Sequence, residues 1–408
     1  RKSLVAVILL VGMTVATGLL GKAIPGSFLP EEDQGYFFAQ TILPDAASLE
    51  RTTAVMKQAE AILLATPGVE YVTAIDGYNF LSGVNTTYTG AFFVTLKDWG
   101  KRTAPDEKYQ AIMKHVNGAF SKLPGAVAFA FSPPAIPGIG ASGGVTFVLQ
   151  DRSGKDLTFL SENVKKFMAA CKDRPELVGV STTFAPGVPQ VLMKVDRDKV
   201  LKQNLDLGAV YQTLQTFMGG NFVNYFNRFG RQWQVFVQAE GAYRTSSEQI
   251  GQFFVKNKDG AMVPLDAITS AKPISGPEFT MRYNLYRSAQ INANAAPGFS
   301  SGQAMAAMEE VFAQTMPKEM GFSYLGMSFQ EKQASEGISP MIIFGISLLF
   351  VFLILAAQYE SWKLPFSVLL CTPIAVFGAF AALMVGRYEL NIYAQIGLVM
   401  LIGLAAKN

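Results

Sequence analysis

Apolar positions along this chain follow two regimes. Near the ends they run together: 4–20, 340–357, 364–385 and 392–406 are almost wholly apolar, each close to the roughly 20 residues that cross a bilayer as a helix. Between them, from about 22 to 337, apolar residues recur with the periods of strands and helices folded around an aqueous-domain core. After "FLPEEDQG" the periods predict a strand over 36–43, a helix over 47–65, strands over 69–75 and 89–96, a helix over 107–122 and a strand over 126–131. "GYNFLSG" reads as a loop between the two middle strands. This βαββαβ order is that of a ferredoxin-like split unit, two helices on one face of a four-stranded antiparallel sheet.

A second copy begins with a strand over 145–150, a helix over 157–171 and a strand over 178–184. Its other half comes late, as a strand over 289–295, a helix over 301–316 and a strand over 322–325, so roughly 186–285 is an insertion. The insertion reads as mixed α/β, with a strand at 191–195, a helical stretch at 207–218, an alternating strand in "RQWQVFVQAE" and a turn at "NKDGAMV". Within it "GGNFVNYFNRFGRQWQ" is either a hairpin with ordinary turn chemistry or a surface for a partner protein, since aromatics and Arg are enriched at interface cores.

Composition adds that the chain is neither disordered nor an ordinary soluble protein: 50% of residues are hydrophobic and only 16% charged. The first apolar run alone could be a secretory signal, a reading weakened by the three later runs. With Arg1 and Lys2 in the cytoplasm, the large domain lies outside, Lys363 returns inside and "GRYELN" is an outer turn, although Arg387 makes that charge bias slight. Cys171 and Cys371 fall in the aqueous domain and in a span, so no disulfide or zinc spacing exists. His115 sits on a helix face, and no nucleophile–base pairing or phosphate-binding glycine pattern accompanies it, which argues against an enzyme.

Ordered motifs then carry a resemblance over the whole chain: "FLPEEDQG", "FVTLKDW" at 93–99, "FAFSPPAI" at 129–136, "GMSFQE" at 326–331, "LAAQYESWKLPFSV" at 355–368 and the closing "GLAAKN". In these the chain resembles the hydrophobe/amphiphile branch of the resistance-nodulation-division exporters, inner-membrane pumps of bacterial tripartite efflux systems. It resembles the second half of such a pump, from the seventh span into the tenth. The resemblance implies an α+β membrane protein: a transmembrane helix at 1–22, a first ferredoxin-like porter subdomain at 23–140, a split second one at 141–185 and 286–330, a docking subdomain at 186–285 and three transmembrane helices at 338–408. It implies proton-driven export of hydrophobic and amphiphilic compounds, a homotrimer, a periplasmic adaptor and an outer-membrane channel as partners, and no cofactor, bound metal or nucleic acid. A fragment of this kind is expected to be inactive alone.

Lys407 admits two readings. A helix starting near Asn391 and rising about 1.5 Å per residue puts it roughly 24 Å along, close to the far boundary of a hydrocarbon core about 30 Å thick. Geometry alone therefore favours a lysine that snorkels to the headgroups. The resemblance implies instead a mid-membrane lysine beside acidic residues on the fourth span, because an unpaired cation there costs roughly 2.5–3.5 kcal/mol. Lys407 is then a proton-relay residue that pairs with carboxylates while they are ionised and turns away when one is protonated. From 339 onward the only acids are Glu360 and Glu389, both in predicted loops, so those partners lie outside this chain.

A site for lipophilic drugs needs aromatic and aliphatic walls with few polar groups. Phe37 and Phe38, Phe92 and Phe93, and Phe129 with Phe131 supply candidates on strands, most of which belong to core by default. Tyr78 and Phe80 lie in a loop where a large apolar side chain gains little unless it covers something. The matching loop of the family divides two drug pockets, so Tyr78, Phe80 and Phe93 are assigned to the deep pocket, with Phe38, Phe129 and Phe131 in the deep and outer pockets. Thr73 and Ser181 stand where the family often has phenylalanine and arginine, and "TTYT" lengthens the loop region. A metal-ion (Cu/Ag) exporter of the same superfamily would need methionines where Phe38, Asn85 and Pro137 stand. A membrane-anchored periplasmic scaffold is the remaining alternative.

Overall fold

The computed structural model describes residues 2–337, 340–370 and 372–407, without the side chains of 2–4, 6, 7, 340, 341, 406 and 407. Cys371 and the Lys407 side chain thus lie outside the described set. The chain divides into two compact units, one comprising residues up to Pro186 together with those from Phe279 on, the other Gly187–Glu278.

Helix α1 (Lys2–Ala23) opens the first unit. Then come β1 (Tyr36–Ile42), α2 (Leu49–Ala65), β2 (Val69–Asn79), β3 (Val84–Leu96), α3 (Tyr109–Phe120) and β4 (Val127–Phe131). The strands form one antiparallel sheet in the order β2-β3-β1-β4. Ser48 caps α2 by accepting from the Arg51 amide, and Thr52, Val55, Met56, Ala59 and Leu63 recur at helical spacing on its buried face. Ile112, Val116 and Phe120 do the same for α3. Both stripes pack on Phe37, Ala39, Phe92, Val94, Ala128 and Ala130, alternate residues of β1, β3 and β4, so both helices occupy one face of the sheet.

The hairpin β2–β3 is longer than its sequence suggests. Tyr78 pairs with Asn85 and Asn79 with Val84, so Gly77, Tyr78 and Asn79 of the expected loop and all of "TTYT" are strand. Gly77, a turn signal in the sequence, instead occupies a β-bulge at φ +82°. Only 80–83 turn, closed by the Gly83 amide on the Asn79 carbonyl and by Asn79 Oδ1, which accepts from the amides of Leu81 and Ser82. The threonines are held by long-range bonds: Thr87 Oγ1 donates to the Ala47 carbonyl and Thr52 Oγ1 to the Thr87 carbonyl.

Next are β5 (Val145–Asp151), α4 (Leu157–Lys172) and β6 (Leu177–Thr182). The second unit follows with β7 (Val188–Val195), α5 (Arg197–Lys202), α6 (Leu207–Leu214), β8 (Asn221–Arg228), β9 (Arg231–Val237), β10 (Phe254–Lys256), β11 (Met262–Pro264) and β12 (Thr269–Gly276). Its strands pair β7–β12, β8–β9 and β10–β11 around a core of Val200, Val210, Leu265 and Ile268. The β8–β9 hairpin turns at Phe229 and Gly230, both with positive φ, and leaves Phe222, Tyr225, Phe226, Phe229, Trp233 and Phe236 exposed.

Back in the first unit, β13 (Met281–Tyr283), β14 (Tyr286–Ala295), α7 (Ser301–Thr315) and β15 (Met320–Tyr324) complete a second sheet. In it β14 lies between β5 and β6, and β15 covers the other edge of β5. Phe147 stacks between Phe167 and Phe322 in its core, with ring centroids 5.1 and 5.0 Å away. Helix α8 (Gly326–Glu336), which no apolar period announces, docks through Ser328, whose hydroxyl accepts from the Thr146 amide at 2.9 Å.

The chain closes with α9 (Pro340–Tyr359), α10 (Leu364–Leu369), α11 (Thr372–Gly386) and α12 (Ile392–Lys407). Among the described residues, 342–359 and 364–386 are long and apolar enough to cross a membrane, the latter running over Cys371; 8–23 and 392–405 are shorter apolar helices. The sequence pattern predicts four spans, and length and composition together single out two. Helix α1 packs against α11, and α12 against α9 and α11. The Leu390 amide donates to the Pro25 carbonyl and the Ile392 amide to that of Phe28, which ties the segment after α1 to the α11–α12 turn.

Candidate functional site

Strand alternation decides which aromatics belong to a site. Phe37 and Phe92 are fully buried under the helices and are core, so these two sequence candidates drop out. Phe38 and Phe93 face the other way. Cross-strand register sets Thr73, Phe93, Phe38 and Phe131 in one row across β2, β3, β1 and β4 on the face opposite α2 and α3. Phe38 lies 5.1 Å from Phe93 and 5.9 Å from Phe131, centroid to centroid, and Phe129 joins Phe131 at 5.9 Å.

Over this floor sits the tip of the β2–β3 hairpin. Its Phe80 ring is 4.3 Å from Phe38, 5.5 Å from Phe93 and 6.0 Å from Phe131. Tyr78 meets Phe80 edge-on at 6.5 Å. The structure therefore brings Tyr78, Phe80, Phe93, Phe38, Phe129 and Phe131 into one connected aromatic cluster, within the 4.5–7 Å range typical of aromatic pairs or slightly closer. Tyr78, expected in the loop, holds its place from a strand end, and Phe80 alone rides on the turn.

Two residues escape the sequence reading. Tyr36 adds an edge-on contact to Phe38 at 5.6 Å. Gln40 shares the face of Phe38 two residues on and is completely buried. Its Oε1 accepts from the Phe80 amide at 2.9 Å, and its Nε2 donates to the Tyr78 carbonyl at 3.3 Å. A lone amide inside the apolar run "YFFAQTI" is the signal that could have found it.

Phe131 also forms part of the wall of a cavity of about 750 Å3, whose lining includes Glu31, Asn294, Glu331 and Glu389. Tyr109, its phenol pushed up to about 12 chiefly by burial, stays protonated and donates to Ser132 Oγ at 2.9 Å; that hydroxyl donates to Glu31 at 3.2 Å. Glu331 accepts from Ser301 Oγ at 2.8 Å. Burial raises the Glu331 carboxyl above the ordinary range, the Ser301 bond partly offsets this, and the charge of Glu389 adds to it. Among the described residues no group of three or more His, Cys, Asp or Glu could hold a metal ion. Lys407 ends the backbone of α12, and its side chain lies outside the description.

The sequence profile of the AcrB/AcrD/AcrF family matches residues 1–408. The chain is 34% identical over 399 residues to a toluene efflux pump membrane transporter, TtgE, of Pseudomonas putida, covering 97% of this chain and 38% of that protein. It is 33% identical over 399 residues to the solvent-resistant pump membrane transporter SrpB, also of Pseudomonas putida, with the same shares, 97% and 38%. To the multidrug export protein AcrF of Escherichia coli it is 34% identical over 411 residues, covering 100% of this chain and 39% of that protein. The chain thus spans well under half the length of these relatives.

Proposed function

The chain belongs to the AcrB/AcrD/AcrF family of resistance-nodulation-division transporters, and from that premise we propose that it supplies the drug-handling portion of a proton-driven exporter of hydrophobic and amphiphilic compounds. The observation that carries this reading is the aromatic cluster of Tyr78, Phe80, Phe93, Phe38, Phe129 and Phe131 on the sheet face opposite α2 and α3. Rings presented by four strands and one turn offer large contact area with few hydrogen-bond demands, which suits varied apolar ligands. In this reading the cluster forms the binding pocket and the cavity beside Phe131 its approach.

Both sheets are read as ferredoxin-like porter subdomains, supported by the shared order in which the first strand lies between the third and the fourth. Gly187–Glu278 is read as the docking subdomain, with the aromatic β8–β9 hairpin facing adaptor, channel or neighbouring subunit. Helices α1, α9, α11 and α12 expose Ile8, Leu9, Ile343, Phe350, Ile374 and Met400, among others, which calls for lipid around them. We place them in the bacterial inner membrane with the large domain in the periplasm and the protein in a homotrimer. Lys407 is assigned as a proton-relay residue whose acidic partners lie outside this chain. The relatives' names speak of toluene, solvents and drugs rather than metals, which disfavours the Cu/Ag reading.

Phe80→Ala in a pump of full family length tests the pocket. The expected outcome is a changed pattern of resistance, with planar aromatic toxicants affected most. An unchanged pattern across dyes, solvents and drugs would reject the assignment of this cluster to substrate.

A further inference from the structure

Phe80 lies so close to Phe38, at 4.3 Å between centroids, that no third ring fits between them. A flat aromatic ligand that stacks on the Phe38 floor must lift the turn by about one ring thickness, on the order of 3.5 Å. The Phe80 amide is 2.9 Å from Gln40 Oε1, so such a rise takes that bond beyond any hydrogen-bonding distance. The Tyr78 carbonyl at 3.3 Å from Nε2 is pulled away with it.

We propose that Gln40 is a positioning and specificity-determining residue, a buried amide latch that holds the Phe80 turn down over the aromatic floor and discriminates against ligands that must raise it. The inference rests on the pocket reading given above. Its chemistry is that of a side chain imitating a strand: one carboxamide offers an acceptor to the Phe80 amide on the turn and a donor to the Tyr78 carbonyl at the end of β2. Only one orientation of the amide meets both, because the Phe80 N–H needs the oxygen and the Tyr78 carbonyl needs the NH2. Gln40 is anchored on a central strand between Ala91 and Phe129, which gives the latch a rigid base.

Selectivity follows. A ligand that inserts beneath Phe80 finds its site only in the fraction of molecules whose latch is open, and its apparent affinity is reduced by that fraction. A ligand that lies along Phe129 and Phe131 meets no such penalty. Gln40 would therefore tune the preference between planar polycyclic and flexible aliphatic compounds without touching either.

The test uses Gln40→Met, close in volume but unable to make either bond, in the purified full-length pump. Ethidium, planar and polycyclic, and decyltrimethylammonium, of equal charge but aliphatic, are titrated calorimetrically, and hydrogen exchange is followed in the peptide carrying 78–83. Losing both bonds should accelerate exchange in that peptide and tighten ethidium binding, each about tenfold, while decyltrimethylammonium changes less than about twofold. Gln40→Glu, which keeps the acceptor for the Phe80 amide, should fall between Met and the parent in both readouts. Unchanged exchange in 78–83, or an unchanged ratio of the two affinities, in Gln40→Met overturns the latch. Phe80→Ala separates the two levels: if it weakens ethidium while Gln40→Met has no effect, only the latch fails, and if neither variant alters ethidium binding, the pocket reading fails as well.

Discussion

Phe37 and Phe38 are neighbours in the chain and lie on opposite faces of one sheet, the first packed under α2 and α3, the second packed beneath the tilted ring of Phe80. One strand thus divides two jobs between consecutive residues. Phe37→Ala should cost about 3–5 kcal/mol of domain stability by opening a cavity in the helix-facing core. Phe38→Ala, 8% exposed and facing the cluster, should destabilise less and weaken binding of aromatic ligands more. Denaturant unfolding paired with ligand titration on both variants checks the division.

Arg102 is nearly inaccessible, its side chain 2% exposed. One guanidinium nitrogen reaches both Asp33 oxygens, at 3.0 and 2.9 Å, while Nε donates to the Lys97 carbonyl at 2.6 Å. Arg102→Met would strip the Asp33 carboxylate of its counter-charge, leaving it the Gly35 amide, and the Lys97 carbonyl of this donor, at roughly 3–5 kcal/mol. Arg102→Lys should recover little, since an ammonium cannot reproduce the planar fork. Chemical denaturation of the two variants decides this.

Glu331 makes stability depend on pH with a definite sign. Its folded-state carboxyl is raised chiefly by burial, so the folded protein holds that proton more tightly than the unfolded chain. The contribution is complete below the ordinary glutamate range and is lost as pH rises through the raised value. Glu331→Gln keeps a neutral group there, and its stability relative to the parent should grow as pH rises from about 4 to about 7. Thermal melts across that range measure the slope, and a flat difference would contradict the burial of the charge.

For Lys407 the expectation concerns transport. In a pump of full family length, Lys407→Ala should abolish proton-coupled dye efflux while expression and assembly stay normal. Full efflux in that variant would mean a lysine that merely reaches the headgroups.

Much of the fold is legible because β1, β3 and β4 are short runs rich in aromatic, apolar and β-branched residues and α2, α3 and α4 carry buried residues at helical spacing. The aromatic cluster is legible for the same reason: residues two apart on a strand share a face, as Phe129 and Phe131 do. The hairpin tip is misread from sequence because Gly77, Asn79, Gly83 and Asn85 all look like turn residues, whereas the bulge at Gly77 and the bonds from Thr52 and Thr87 are tertiary facts. Helix α8 is invisible to periodicity because it docks through a serine hydroxyl rather than an apolar stripe. Gln40 carries no periodic signal, and its role exists only once residues 38 to 40 positions further along the chain come back over it.

The second sheet has a consequence for biogenesis. Strand β5 ends at Asp151, yet both strands that flank it, β14 and β15, start at Tyr286 or later. At ribosomal speeds the bare edges of Val145–Asp151 wait on the order of ten seconds for their neighbours. The first sheet, closed by Phe131, is complete long before. Until then those edges are open to mispairing, and truncations between 152 and 285 should clump where truncations soon after 131 stay dispersed.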